Sequence, residues 1–306
     1  MKKQSFISKT ITAILCLIFH SRYEKKRFNS TAFAKKSNNK KSRYKPIGFT
    51  ILKNDFGEYR VETTVAQKLN SNKVVFHIHG GSFKMRMTDN YRKQAVFYSK
   101  LFDNCIVHSV DYRVYPNVKF PVPLEDVYNA YIHLINSSTK PENIIVVGDS
   151  CGSNMAAALC IKLKDNNKPM PKQLILFSFW GDLSNSGASY RSNCYRDPFY
   201  GIPKKLSYEE CESNLRSITL YARGEDLYNP YLSPCFGDFS NFPETVLVTG
   251  SADISQSDSI TAYNKLCEEK VRAHLLSYEN MFHDFQFVKF LPESKDVFKK
   301  IKQITE

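Results

Sequence analysis

Short apolar blocks alternate with stretches whose apolar residues recur at helical spacing, from about residue 47 to the end of the chain. Runs of β-branched and aromatic residues predict strands at 59–66, 73–79, 105–112, 143–147, 173–178, 245–250 and 273–278. Amphipathic spacing predicts helices at 123–135, directly after Ser150, at about 257–269 and near 291–303. This alternation predicts an α/β fold with a mostly parallel central sheet and helices on both of its faces.

One interval does not show this alternation of strand and helix patterns. Between Trp180 and Phe242 the chain is rich in Tyr, Asn, Ser and Cys and has no strand pattern. We therefore predict a catalytic domain at 46–306 with an inserted lid at about 181–242. The lid is rich in tyrosine, which favours a compact, partly polar pocket.

The candidate chemistry centres on Ser150. The sequence Gly148-Asp149-Ser150-Cys151-Gly152 lies between an apolar strand and an alanine-rich helix. A glycine-flanked serine on a sharp strand-to-helix turn is a nucleophile elbow, which exposes the hydroxyl above the sheet. The N-terminus of the following helix then favours negative charge beside that hydroxyl. The pattern is typical of a serine hydrolase.

A serine nucleophile needs a base, and the base needs an acid that orients it. His283 follows a late strand, so its loop can return to the edge of the sheet where the elbow lies. Asp253 comes just after the strand at 245–250, whereas Asp258 is predicted inside the next helix and Asp284 adjoins the histidine. We favour Asp253 and keep Asp258 as the alternative.

Backbone amides that can stabilise an oxyanion are predicted at Gly80 and Gly81, which directly follow a strand. The amide of Cys151, the residue after the candidate nucleophile, is a third donor. The thiol of Cys151 has no predicted role.

The order of these motifs resembles the hormone-sensitive-lipase-like group of α/β-hydrolases. The resemblance spans about residues 73–287 and includes the pair Gly80-Gly81, residues 111–127, the serine motif and residues 227–234, followed by the late acid and histidine. It implies hydrolysis of acyl esters, no cofactor, and a lid built from the N-terminal segment and the insertion.

The same resemblance implies that Asp111 and Arg113 brace a loop near the site. The sequence departs from the group at Ser82, where a third glycine is usual, and at Ser153, where glycine is frequent. Ser82 keeps its backbone N–H, so this departure is compatible with activity.

Two other functions stay open. One is a ligand-binding receptor built on the hydrolase fold, although such a receptor lacks the histidine that is present here. The other is an amidase or deacetylase, which uses the same acyl-enzyme route. A chymotrypsin-type protease is excluded because its histidine and aspartate precede the serine.

Charge is concentrated at the N-terminus. Residues 1–50 hold 13 Lys or Arg and one acid, whereas residues 51–306 hold 30 bases and 29 acids. An electrically ordinary catalytic domain argues against a nucleic-acid enzyme.

Residues 1–45 form a basic N-terminal segment with two possible roles. The segment begins with the basic and apolar parts of a signal peptide, but its apolar run is too short to span a membrane. Alternatively, the apolar run forms an amphipathic helix that packs on the domain or lies on anionic lipid. The residues on its apolar face are Ile7, Ile11, Ile14, Leu15 and Ile18. Membrane-associated, secretory and cytoplasmic locations stay open, and so does the oligomeric state. Residues 20–45 are polar and basic, which predicts little regular structure.

The eight cysteines are scattered, and no two are spaced as C-x-x-C. This spacing argues against a structural zinc site and against a disulfide scaffold. We therefore predict no metal site, and the resemblance to the hydrolases implies no cofactor.

Overall fold

The computed structural model describes residues 2–25 and 30–306. Its strands are β1 (Phe49–Asp55), β2 (Arg60–Ala66), β3 (Val74–Ile78), β4 (Ile106–Asp111), β5 (Ile144–Asp149), β6 (Gln173–Phe177), β7 (Glu244–Gly250) and β8 (Ala273–Tyr278). Its helices are α1 (Phe6–Lys25), α2 (Ser30–Asn38), α3 (Asp89–Leu101), α4 (Val122–Asn136), α5 (Cys151–Asp165), α6 (Ala188–Ser192), α7 (Tyr208–Ile218), α8 (Gln256–Glu268) and α9 (Pro292–Thr305).

The strands form one sheet in the order β1-β2-β4-β3-β5-β6-β7-β8. The β1–β2 and β2–β4 pairs are antiparallel, and the other neighbouring pairs are parallel. The seven predicted strands are confirmed, and so is the mostly parallel α/β sheet. Strand β1 is not predicted by the pattern, because this edge strand is mostly exposed and lacks an apolar run. Helix α3 is not predicted either, because its sequence is largely polar.

The core lies on both faces of the sheet, as β5 shows. Ile144 and Val146 pack into one hydrophobic cluster, and Ile145 and Val147 pack into the other. Side chains alternate across a strand, so a strand buried on both faces is apolar at every position. This explains why the strand before Ser150 is a continuous β-branched block.

The N-terminal segment is more regular than its composition predicts. The expectation of little regular structure at 20–45 is wrong for residues 20–25 and 30–38, which belong to α1 and α2. Residues 39–45 have no helix or strand, and residues 26–29 lie outside the described residues. Ile11 and Leu15 of α1 pack against the cluster that contains Ile145. The hydroxyl of Ser8 donates to Glu293 at the start of α9. Packing on the domain therefore helps to order a helix that basic composition disfavours.

The segment between β6 and β7 carries α6, α7 and several short turns. No strand is assigned between residues 178 and 243, all of which lie in the described part of the chain. The side-chain amide of Asn154 in α5 donates to the carbonyl oxygens of Trp180 and Leu232, both at 2.9 Å. One buried residue of the helix after the elbow therefore holds two parts of this segment beside the carboxyl edge of the sheet.

Candidate active site

Ser150 occupies a strained turn between β5 and α5. Its backbone has φ 52° and ψ −122°, a conformation that residues other than glycine rarely adopt. The flanking glycines are required by close approach. A Cβ on Gly148 would lie 2.5 Å from the carbonyl oxygen of Gly152, and one on Gly152 would overlap the carbonyl oxygen of Ile78. The chain therefore has the geometry of an elbow at this position, and sterics explain its glycines.

Asp253 and His283 meet beyond the ends of neighbouring strands. Asp253 Oδ1 lies 2.8 Å from His283 Nδ1, and both side chains are buried. The opposite ring nitrogen, His283 Nε2, is buried and has no hydrogen bond to a described residue. The same is true of Ser150 Oγ. Buried polar groups are nearly always hydrogen-bonded, so these two unpaired atoms are available to a substrate and make Ser150 and His283 candidates for reactive groups.

Asp258, the alternative acid, has different partners. Its Oδ2 accepts hydrogen bonds from the backbone amides of Gly181 and Asp182, at 2.9 and 3.0 Å, and from the Tyr190 hydroxyl. These contacts anchor the start of the segment after β6. The carboxylate against the imidazole is that of Asp253, and not that of Asp258.

The electrostatics favour a protonated imidazole. Burial by itself lowers the pKa of His283, but the carboxylates of Asp253 and Asp284 outweigh burial and raise that pKa above its ordinary value. Asp284 Oδ2 lies 3.7 Å from His283 Nε2. The sequence gives Asp284 no role because it adjoins the histidine. The backbone of Asp284 is left-handed (φ 56°), and its carboxylate nevertheless lies close to the Nε2 side of the imidazole ring.

The predicted amide donors divide into two groups. The amide of Gly80 donates to Asp149 Oδ2 at 3.1 Å, so it is already engaged within the protein. Asp149 thereby ties the glycine loop to the elbow. In the described part of the chain, no side chain accepts a hydrogen bond from the amides of Gly81 or Cys151, and these two stay candidates for oxyanion stabilisation.

Aromatic packing holds the glycine loop in place. The His79 ring stacks on Tyr112 at 4.3 Å between centroids. The Tyr112 hydroxyl donates to the carbonyl oxygen of His79 at 2.7 Å. The loop that presents the glycines is therefore fixed by the residue that follows β4.

Asp111 and Arg113 lie on either side of Tyr112. Asp111 accepts from the Arg86 guanidinium and from the amide of Met87, at 3.0 and 3.1 Å. Arg113 pairs with Asp126 of α4 at 2.7 Å. These contacts agree with the bracing role that the resemblance implies for both residues.

Tyr200, from the segment between β6 and β7, covers the site. Its hydroxyl lies 3.0 Å from Ser82 Oγ, and its ring packs edge-on against His283 at 4.7 Å between centroids. Ser150 is only 2% exposed. A cavity of about 10 Å³ lies beside the imidazole and is lined by Trp180, Tyr190, Tyr200, Leu215, Ile254, Ser255 and His283. Such a volume holds about one water molecule.

A strained serine elbow on a mostly parallel α/β sheet, and a buried Asp–His pair on the loops after two later strands, are features of the serine hydrolases built on this fold. A family model described as the alpha/beta hydrolase fold matches residues 75–287. The chain belongs to this family.

Individual relatives agree with that assignment. The chain is 29% identical over 242 residues to an esterase of Acinetobacter venetianus, covering 78% of this chain and 76% of the relative. It is 26% identical to an acetyl-hydrolase of Streptomyces hygroscopicus, covering 73% of this chain and 72% of the relative.

Solved structures share the fold. A crystal structure of an esterase/lipase from an uncultured bacterium matches with a TM-score of 0.83 at 21% identity, covering 98% of this chain and 97% of that one. An esterase from the bacterial hormone-sensitive lipase family matches with a TM-score of 0.78 at 22% identity, covering 96% of each chain. The resemblance seen in the motifs is therefore confirmed.

Proposed function

We propose that this protein is a serine hydrolase of carboxylic esters, with Ser150 as nucleophile, His283 as general base and Asp253 as the orienting acid. The observation that carries the proposal is the 2.8 Å contact between Asp253 and His283 in a chain that also holds a strained, buried serine at its elbow. The esterases among the relatives support the same reaction.

The reaction follows from these positions. Ser150 Oγ attacks the ester carbonyl carbon while His283 Nε2 takes the hydroxyl proton, and the amides of Gly81 and Cys151 stabilise the oxyanion. Collapse of the tetrahedral intermediate breaks the bond to the alcohol, which leaves with the proton from His283. Water then attacks the acyl-serine and gives a proton to His283. Collapse of this second intermediate breaks the bond between the acyl group and Ser150 Oγ, which takes the proton back from His283 as the acid is released.

We infer that segment 181–242 acts as a lid and that small acyl groups are preferred. The cavity of about 10 Å³ beside His283, under Tyr200 of this segment, supports a preference for small acyl groups such as acetyl. The name of the acetyl-hydrolase relative is consistent with this preference.

Hydrolysis of p-nitrophenyl esters from acetate to palmitate tests both the proposed mechanism and the proposed acyl preference. We expect the highest kcat/KM with acetate and a decrease of about 10⁶-fold in turnover for Ser150→Ala. Activity in that variant close to wild type would contradict the mechanism. Equal rates with all chain lengths would contradict the acyl preference. No hydrolysis of any ester would favour the receptor, and faster cleavage of the matching anilide would favour an amidase.

We also propose that α1 adsorbs to anionic membrane surfaces. Within residues 2–25 and 30–306, no helix combines the length and apolar character that crossing a bilayer requires. The apolar side chains of α1 that expose between 39% and 83% of their surface are Phe6, Ile7, Ile14, Leu17 and Ile18. An exposed apolar helix face in a segment with a large excess of Lys and Arg is suited to binding at an anionic interface.

Co-sedimentation with lipid vesicles tests adsorption. We expect binding to vesicles that contain phosphatidylglycerol, weaker binding to pure phosphatidylcholine, and loss of binding as salt increases. Ile14→Ser with Leu17→Ser should abolish binding. Leu69→Ser, at an exposed leucine outside α1, is the matched control. Binding by the double variant equal to that of the control would contradict the proposal.

A further inference from the structure

The segment between β6 and β7 contains a buried acid to which the sequence pattern gives no role. Asp197 is fully buried, and its carboxylate accepts four backbone amides. Oδ2 accepts from Ile254 at 3.0 Å and from His283 at 3.2 Å. Oδ1 accepts from Phe199 at 2.8 Å and from Tyr200 at 3.2 Å. The first pair belongs to the loops that carry the candidate acid and base, and the second pair belongs to the turn that carries Tyr200.

Neighbours of Asp197 reinforce this connection. The side-chain amide of Asn193 donates to the carbonyl oxygen of Asp253 at 2.7 Å. The Arg196 guanidinium donates to the carbonyl oxygen of Ser251 at 3.0 Å and to Asn280 Oδ1 at 2.6 Å. One turn, residues 193–197, therefore bonds to the loop after β7 and to the loop after β8.

We propose that Asp197 is a positioning residue that holds these two loops in the arrangement required by the Asp253–His283 hydrogen bond. The loops beyond β7 and β8 bond to each other directly, from the amide of Ala252 to the carbonyl oxygen of Met281 at 2.9 Å and from the amide of Asn280 to Ser251 Oγ at 2.8 Å. The residues of the Asp253–His283 pair receive a further constraint. Asp197 provides it by binding the amide of His283 and the amide of the residue after Asp253. This inference rests on the proposed function in so far as it predicts a catalytic effect.

Metal binding is the main alternative for this cluster. Ligand atoms of Asp197, Asp253 and His283 lie within 4.8 Å of one another. A carboxylate offers about four lone-pair positions, and four amides already occupy those of Asp197. His283 Nδ1 is likewise engaged with Asp253. Hydrogen bonding within the protein therefore accounts for the cluster.

The charge of Asp197 also acts on the base. The carboxylates of Asp253, Asp284 and Asp197 all raise the pKa of His283, against the effect of burial. The other titratable groups near the imidazole or the 196–197 backbone are Asp149 at the elbow, Tyr200 over the ring, and Cys16 and His20 of α1. Removing the charge of Asp197 takes away one of the three carboxylates that raise the pKa of His283, so we expect that pKa to fall.

Asp197→Asn tests the proposal. The asparagine side chain has one acceptor oxygen, so two of the four backbone amides lose their acceptor and face the N–H groups of the new side chain instead. We expect kcat to fall about 10²-fold, since small displacements of reacting groups have effects of this size. We also expect the acid limb of the kcat/KM profile to move to lower pH. Asp182→Asn is the matched control, because Asp182 is a buried acid of the same segment that accepts from the amides of Ser184 and Ser186.

A second measurement does not depend on turnover. We expect the proton between His283 Nδ1 and Asp253 Oδ1 to give a far-downfield NMR resonance, which its loss in His283→Ala would assign. In Asp197→Asn we expect this resonance to shift or disappear while circular dichroism shows a folded protein, and in Asp182→Asn we expect it to persist. An unchanged resonance and acid limb in Asp197→Asn would overturn the inference. A normal resonance in a wild-type protein without esterase activity would instead contradict the proposed function.

A milder variant covers the case in which Asp197→Asn does not fold. Arg196 is exposed and bonds to both loops from the same turn, so Arg196→Ala weakens the connection while leaving the carboxylate of Asp197 in place. The variant also removes the hydrogen bond from Arg196 to Oδ1 of the buried Asn193. We expect the downfield resonance to shift in this variant too, by less than in Asp197→Asn. A resonance identical to wild type in a folded Arg196→Ala protein would count against the role of the turn.

Discussion

The hydroxyl groups of Tyr200 and Ser82 lie 3.0 Å apart and join the segment after β6 to the glycine loop after β3. The serine stands where related hydrolases usually have a third glycine, so it adds a side-chain partner while keeping its backbone amide. Because the Tyr200 ring also packs against His283, this pair closes the space beside the imidazole.

Replacing Tyr200 should therefore change acyl preference. In Tyr200→Ala we expect kcat/KM for the butyrate ester to rise relative to acetate by about tenfold or more, because each methylene admitted to an apolar pocket is worth about that factor. The ratio of rates with p-nitrophenyl acetate and butyrate measures the effect. Tyr195→Ala, whose hydroxyl bonds to the carbonyl oxygen of Leu206, should leave the ratio unchanged. An identical ratio in both variants would contradict the role of Tyr200.

Substitution of the two candidate acids should have different effects, on catalysis for Asp253 and on stability for Asp258. Asp253→Asn should lower kcat by about 10⁴-fold with little loss of folding, because the imidazole loses its orienting acceptor. Asp258→Asn should mainly lower the midpoint of thermal unfolding, because it weakens buried hydrogen bonds to Gly181 and Tyr190. Kinetics and calorimetry on both variants separate these outcomes, and the reverse pattern would reassign the acid.

The pH profile should show an acid limb above the ordinary pKa range of histidine. His283 acts as a base only when unprotonated, and nearby carboxylates raise its pKa, so kcat/KM should increase as pH rises toward alkaline values. Burial raises the pKa of Asp284 to about 6, so this carboxylate is charged across that limb.

Asp284→Asn removes a negative charge near Nε2, so the acid limb should move to lower pH. Asp55→Asn, at an exposed acid of β1, is the control and should leave the limb in place. Initial rates with p-nitrophenyl acetate across the pH range measure both. A limb that stays in place in Asp284→Asn would contradict the contribution of this carboxylate.

Gly152, two residues after Ser150, should contribute strongly to the stability of the fold. A methyl group at Gly152 would overlap the carbonyl oxygen of Ile78, so Gly152→Ala must force α5 away from β3. We expect a loss of about 3 kcal/mol or more in the free energy of unfolding, together with loss of activity. Gly224→Ala is the control, because no atom lies within 4 Å and only its left-handed backbone is strained. Denaturant unfolding of the two variants gives the comparison, and equal losses would argue against the steric explanation.

Much of the fold could be predicted from the sequence because burial produces a local pattern of apolar and polar residues. The seven strands and the helix after Ser150 were predicted close to their observed limits, since apolar runs and helical spacing report which faces are buried. The exposed strand β1, the polar helix α3 and the basic helix α2 were missed. Their residues carry no such pattern, so regular structure there depends on neighbours that are distant in sequence.

The candidate site was likewise predicted only in part from the sequence. The sequence by itself determined the order of Ser150, Asp253 and His283 and the glycines of the elbow, because these follow from the chemistry of each residue and its place after a strand. Only the tertiary structure decided that Asp258 anchors a loop, that Gly80 bonds to Asp149, and that Tyr200 and Asp197 reach the loop of the imidazole. These contacts join loops separated by many residues, and their geometry depends on how the sheet brings strand ends together, which no local pattern encodes.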